Sequence, residues 1–152
     1  MKRASLLLIA ISLLFASCNK DTEWVRFHGF TQSDIVGHYE ANPDESLYED
    51  YPTEGVAIYD NASMDVVAEG ANGVTVHIVI PDKINKTYSG SINMTEENYT
   101  ELIIYNYHDD LIMTAYKNDK GQVRFHGRVK LYAPNTFSIQ HDTNLYFDVI
   151  KE

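Results

Sequence analysis

Val123-Arg124-Phe125-His126-Gly127-Arg128-Val129-Lys130-Leu131 is the stretch from which the fold class follows. Apolar or small residues fall at every second position, and Arg124, His126, Arg128 and Lys130 fill the positions between. Successive side chains of a strand point to opposite faces, so this period of two predicts a strand with one apolar and one basic face. The same alternation recurs on either side. Leu111, Met113 and Ala115 alternate with Ile112, Thr114 and Tyr116, and Leu145, Phe147 and Val149 with Tyr146 and Asp148. Further upstream, Leu102 and Ile104 alternate with Ile103 and Tyr105, and Val74, Val76, Ile78 and Ile80 form a run that Pro81 ends. No segment after residue 23 sustains the 3.6-residue apolar spacing of a helix.

Turn chemistry separates these runs. Gly70-Ala71-Asn72-Gly73, Asn118-Asp119-Lys120-Gly121, Ala133-Pro134-Asn135 and His141-Asp142-Thr143-Asn144 are short and rich in residues that tolerate tight turns. Short gaps mean hairpins, and hairpins mean antiparallel pairing. The expected fold is all-β, an antiparallel meander barrel of about eight to ten strands, with a β-sandwich as the alternative. The chain has 152 residues, within the usual range of about 100–200 for one domain. No Pro/Gly/Ser-rich linker divides residues 24–152, which are expected to form a single domain.

The N-terminus has a different character. Lys2 and Arg3 precede an apolar run from Leu6 to Phe15, followed by Ala16 and Ser17. This is the layout of a secretory signal peptide over residues 1–17, too short to span a bilayer as a helix of about 20 residues. Cys18 is the one cysteine, so no intrachain disulfide and no Cys-rich metal site can form. Leu14-Phe15-Ala16-Ser17-Cys18 resembles a bacterial lipobox, which implies cleavage before Cys18, its lipidation, and a short tether over residues 18–23. Asn19-Lys20-Asp21-Thr22-Glu23 resembles the lysine-plus-acidic export signal of Bacteroidetes surface lipoproteins. The resemblance implies a bacterial outer-membrane protein held by its N-terminal lipid, displayed on the cell surface or facing the periplasm. Cleavage removes Lys2 and Arg3 and leaves ten Lys+Arg against 22 Asp+Glu. That acidic excess argues against nucleic acid as a partner.

Ile35-Val36-Gly37-His38-Tyr39 opens a strand after the polar residues Thr31 to Asp34. Its Gly-x-Tyr resembles the Gly-x-Trp signature at the first strand of lipocalins and other calycins, with Tyr39 in place of Trp. In that family a long loop after this strand lids the barrel mouth, and Asn42 to Thr53 is the longest gap between strand candidates here. The resemblance implies a barrel that binds a small ligand.

The candidate ligand-binding residues are Arg124, His126 and Arg128 of the basic stripe, with Tyr39. If the stripe lines a lumen it suits an anionic molecule. The structural alternative is an exposed face paired across the ladder with acidic neighbours. Val25-Arg26-Phe27-His28-Gly29 repeats as Val123-Arg124-Phe125-His126-Gly127. The echo reads either as two strands answering one pattern or as neighbouring strands presenting Arg and His on one face. The acidic loop Asn42 to Pro52 lacks the spacing of a calcium loop and reads as a solvated loop. His28, His38, His77, His108, His126 and His141 make no metal-ligand spacing. No metal or other cofactor is expected. Nucleophile-elbow, phosphate-loop and dinucleotide motifs are absent, and lipidation would remove the only thiol, so no enzyme is expected. The expected function is that of a membrane-anchored, non-enzymatic envelope lipoprotein binding a small ligand in its barrel or a cell-envelope partner. The alternative is a solid β-domain acting as inhibitor or accessory subunit.

Overall fold

Every alternating stretch named above becomes a strand. The computed structural model describes residues 23–42, 58–92, 99–132 and 143–152. Among the described residues there are ten strands: β1 (Trp24–Arg26), β2 (Gly37–Ala41), β3 (Ile58–Tyr59), β4 (Ser63–Glu69), β5 (Gly73–Ile80), β6 (Ile84–Ser91), β7 (Glu101–Tyr105), β8 (Asp109–Asn118), β9 (Val123–Leu131) and β10 (Thr143–Lys151). A short helix, α1 (Gln32–Ile35), precedes β2.

Eight of the strands form an up-and-down path. β2, β4, β5 and β6 pair antiparallel in succession, as do β7, β8, β9 and β10, and β10 pairs back onto β2. The sheet curls until β6 meets β7, where no backbone ladder forms among the described residues. Gly90 of β6 lies so close to Ile104 of β7 that a Cβ there would sit 2.7 Å from its Cγ1. β1 pairs with the end of β8 that β7 leaves free, and β3 runs parallel to part of β10. The result is a single curled sheet with a calycin-like barrel form, not two facing sheets as a sandwich requires.

The apolar rows turn inward. Val74, Val76, Ile78 and Ile80 of β5, Leu111, Met113 and Ala115 of β8, Val123, Phe125 and Val129 of β9, and Leu145, Phe147 and Val149 of β10 share one buried core. Gly127 continues the β9 row beneath Phe147. A Cβ at Gly127 would lie 2.6 Å from the Ile112 carbonyl oxygen and 2.9 Å from both Met113 Cγ and Phe147 Cζ.

One end of the barrel is plugged by side chains around α1. Phe30, Ile35 and Tyr39 are buried there, and the Tyr39 hydroxyl donates to the Ile35 carbonyl at 2.6 Å. Tyr99 donates to the Phe30 carbonyl and meets the Phe30 ring edge-on at 4.9 Å. Gln32 Nε2 donates to Gly73 O at 2.5 Å, tying α1 to the β4–β5 turn. Periodicity does not predict this helix, because one turn is too short to display a 3.6-residue repeat. Its local signal is the hydrogen bonding of Thr31, whose N–H and hydroxyl both donate to Asp34 Oδ2, at 2.7 and 2.6 Å.

The five-residue echo has a structural counterpart. Val25 and Val123 both oppose Lys117, and Arg26 and Arg124 both oppose Tyr116. Phe27 N–H donates to Ala115 O, and Phe125 lies opposite Ala115 on the other side. The two copies therefore flank β8 in one register, separated by a strand rather than adjacent.

Candidate functional site

Polar groups enter the inner face at the end opposite the plug. In β6 the even residues Ile84, Lys86, Tyr88 and Gly90 face inward, while Asn85, Thr87 and Ser89 are exposed. Register places Ile84 against Ile80 and Lys86 against Ile78. Asp109 begins β8 on the same face as Leu111 and opposes Leu131, which opposes Thr143. All these positions lie toward the far end of the barrel.

Lys86 Nζ is ion-paired with Asp109 Oδ2, joining β6 to β8 across the seam that lacks a ladder. The same ammonium lies 5.5 Å from the Tyr88 ring centroid. Tyr88 and Asp109 are 2% and 4% exposed, whereas the Lys86 side chain is 34% exposed and brings the trio to solvent. Burial, followed by the charge of Asp109, raises the Tyr88 pKa above the ordinary tyrosine value. The Tyr88 hydroxyl and the Asp109 carboxylate are buried side by side and interact directly. Lys86 balances the carboxylate, so the trio as a whole is neutral.

The basic stripe lies on the opposite side of the sheet. Phe125 faces the core, so Arg124 and His126 face away from it. Arg124 binds Asp148 through two hydrogen bonds, Nε to Oδ1 and Nη2 to Oδ2, each 2.7 Å. His126 Nδ1 lies 3.0 Å from Asp148 Oδ2. The Trp24 ring covers the Arg124 guanidinium at 5.4 Å. Arg128 shares this face, and its Nε is buried without a hydrogen-bond partner. Asp148 thus gathers Arg124 and His126, while Tyr39 stands apart in the interior plug. Pairing with an acid across the ladder is present as in the structural alternative, but Arg124 and His126 are buried where that alternative expects an exposed face.

On the outer face of β2, His38 Nδ1 lies 2.7 Å from Asp65 Oδ1 and its Nε2 lies 2.6 Å from Glu40 Oε1. Hydrogen bonding first to Asp65 and then to Glu40 raises the His38 pKa, so its charged form persists to higher pH than that of a free histidine.

Among the described residues no group of three His, Cys, Asp or Glu is arranged to hold a metal ion. Cys18, most of the acidic loop, Pro134 and His141 lie outside the described residues. Sequence reading missed Lys86, Tyr88 and Asp109. The available signal was Lys86-Thr87-Tyr88, whose first and third residues share a strand face. Asp109 follows His108 between two strand candidates, where an Asp ordinarily supports a turn. Comparisons with protein-family models, with curated proteins and with solved structures return no match to this chain.

Proposed function

We propose that this chain is a lipid-anchored, non-enzymatic binding protein that takes a small molecule at the far end of its barrel. The observation that carries this reading is the inward-facing trio Lys86, Tyr88 and Asp109, opposite an end closed by Phe30, Ile35 and Tyr39. A pocket with apolar walls and a few convergent polar groups is the usual form of a small-molecule site. Titrating the purified chain with the neutral fluorescent probe N-phenyl-1-naphthylamine tests it. The expected result is a saturable, one-to-one rise in fluorescence that Ile84→Trp, at the same end, abolishes. Non-saturable fluorescence, or saturation unchanged in Ile84→Trp, would overturn the reading.

A second reading, a solid domain acting through its outer surface as an inhibitor or accessory subunit, draws support from Gly127. A side-chain carbon at that position would meet backbone and core atoms at 2.6–2.9 Å, so the inner face is tightly packed there.

The proposed anchor is the lipid on Cys18. No helix among the described residues is long and apolar enough to cross a membrane. Several acyl chains hold a protein on a bilayer far more firmly than one. In a bacterial host, Cys18→Ala is expected to abolish fatty-acid labelling of the chain. Labelling that persists in the variant removes the anchor, and with it the outer-membrane placement.

A further inference from the structure

We propose that Arg128, on the outer face of β9, binds the carboxylate of a small molecule with an apolar or aromatic body. This site lies across the sheet from Lys86 and does not depend on an open barrel. Two other cations of β9 on this face are held within the chain. Arg124 is bound to Asp148 at 2.7 Å, and Lys130 lies opposite Asp110 with its Nζ 4.9 Å from the Tyr132 ring centroid. Arg128 takes part in no ion pair among the described residues, and its Nε is buried without a hydrogen-bond partner.

The carboxylates nearest to Arg128 by register are already engaged. Asp148, opposite His126, receives both Arg124 and His126. Asp110, opposite Lys130, receives the Asn106 N–H at 3.3 Å and the Tyr132 hydroxyl. With His126 neutral, the outer face of β8, β9 and β10 sets Arg124, Arg128 and Lys130 against Asp110 and Asp148 alone. The face thus carries a positive excess in a chain of net charge −10.

Nε of Arg128 is shut off from water, whereas the outer end of the guanidinium, Nη1 and Nη2, is not. A guanidinium dry at one nitrogen and lacking a counter-ion is costly to bury, and the group it lacks is an anionic acceptor. The two Nη atoms form a planar fork that matches the two oxygens of a carboxylate. A monoanion balances the excess charge, and a phosphate dianion overshoots it. Ile112 and Tyr146, both half-buried, stand opposite Arg128 in the two ladders and offer an apolar floor to the body of the ligand.

Calorimetric titration of the full chain with 2-naphthoate and with neutral 2-naphthamide tests the assignment. The two probes share a ring system and differ in the charge of one group. In low salt, naphthoate is expected to bind one-to-one and about tenfold more tightly, the scale of one charge-assisted pair. Added salt should narrow the preference, because the fork is open to solvent. In Arg128→Leu the two affinities should come within about twofold, since the fork is gone while the apolar floor remains. Lys130→Gln should keep most of the preference. Arg128→Leu removes a buried donor that bonds to nothing, so its urea midpoint should be no lower than that of the parent. Arg128→Gln reads the same loss of preference if the leucine variant unfolds.

Three results would overturn the proposal. Equal affinities in the parent chain would mean that the guanidinium does not receive the anion. A preference that survives in both Arg128 variants would place the carboxylate elsewhere. Failure of both probes to bind would mean that this face admits no ligand body. None of the three bears on the barrel reading, which is tested with a different probe and by Ile84→Trp.

Discussion

Asp148→Ala is expected to destabilise the fold by about 3–5 kcal/mol, the usual cost of removing one partner of a buried ion pair. Arg124 and Asp148 are 0% and 1% exposed, so neither charge can turn to solvent when the other is lost. Asp148 also receives His126, so its removal breaks two interactions in one change. Urea unfolding of Arg124→Met, Asp148→Leu and the double variant separates pairing from burial. The double variant should recover much of the stability that each single variant loses, because two apolar groups replace two desolvated charges. A loss below about 1 kcal/mol in Asp148→Ala would show that the pair is hydrated in solution and behaves like a surface bridge. Arg124, fully buried on the outward face of β9, is bound to Asp148 through Nε and Nη2. The stripe's strongest charge is already committed.

Phe125→Ala is expected to cost about 3–5 kcal/mol through lost burial and the cavity left behind. Phe125 is fully buried, with its ring 5.4 Å from Tyr39 and 6.3 Å from Phe30, so it couples the β9 row to the plug. Tyr39 is held by its hydrogen bond to Ile35 O, and Phe30 by the Tyr99 hydroxyl that donates to its carbonyl, so neither collapses easily into the space. Equilibrium urea denaturation measures the loss. A value under about 2 kcal/mol would mean that this part of the interior is already loosely filled. That outcome would weaken the solid-domain reading and favour a deeper lumen.

How much of this was legible in the sequence differs from strand to strand. β5, β8, β9 and β10 turn one apolar row to the core, so their apolar residues alternate and the strands can be read directly. β6 could not be read in this way. Its inward row is Ile84, Lys86, Tyr88 and Gly90, and its outward row is Asn85, Thr87, Ser89 and Ser91, so polarity does not separate the faces. The candidate site hides in that strand for the same reason: a lysine turned inward looks like any surface lysine until Asp109 is brought beside it. Asp109 comes from β8, on the far side of β7, and no local pattern links the two positions. The basic stripe shows the opposite failure. Arg124, His126 and Arg128 form an obvious pattern, yet Asp148 sits on the next strand in an otherwise apolar run, where nothing marks it as the partner of Arg124.

The seam between β6 and β7 has a consequence for the order of folding. Each ladder within β4–β6 and within β7–β10 joins strands close in sequence, and loops of that length close at little entropic cost. The β2–β10 ladder instead joins the beginning of the sheet to its end, with Tyr39 opposite Lys151. Loop-closure entropy thus falls on the ladders that reach across the chain, β2–β10 together with the short β1–β8 and β3–β10 pairings, while the other boundary between the halves is spanned by side chains such as Lys86 and Asp109. The molecule is accordingly expected to assemble as two local meanders joined along β2 and β10, with the Lys86–Asp109 pair bridging their other edge.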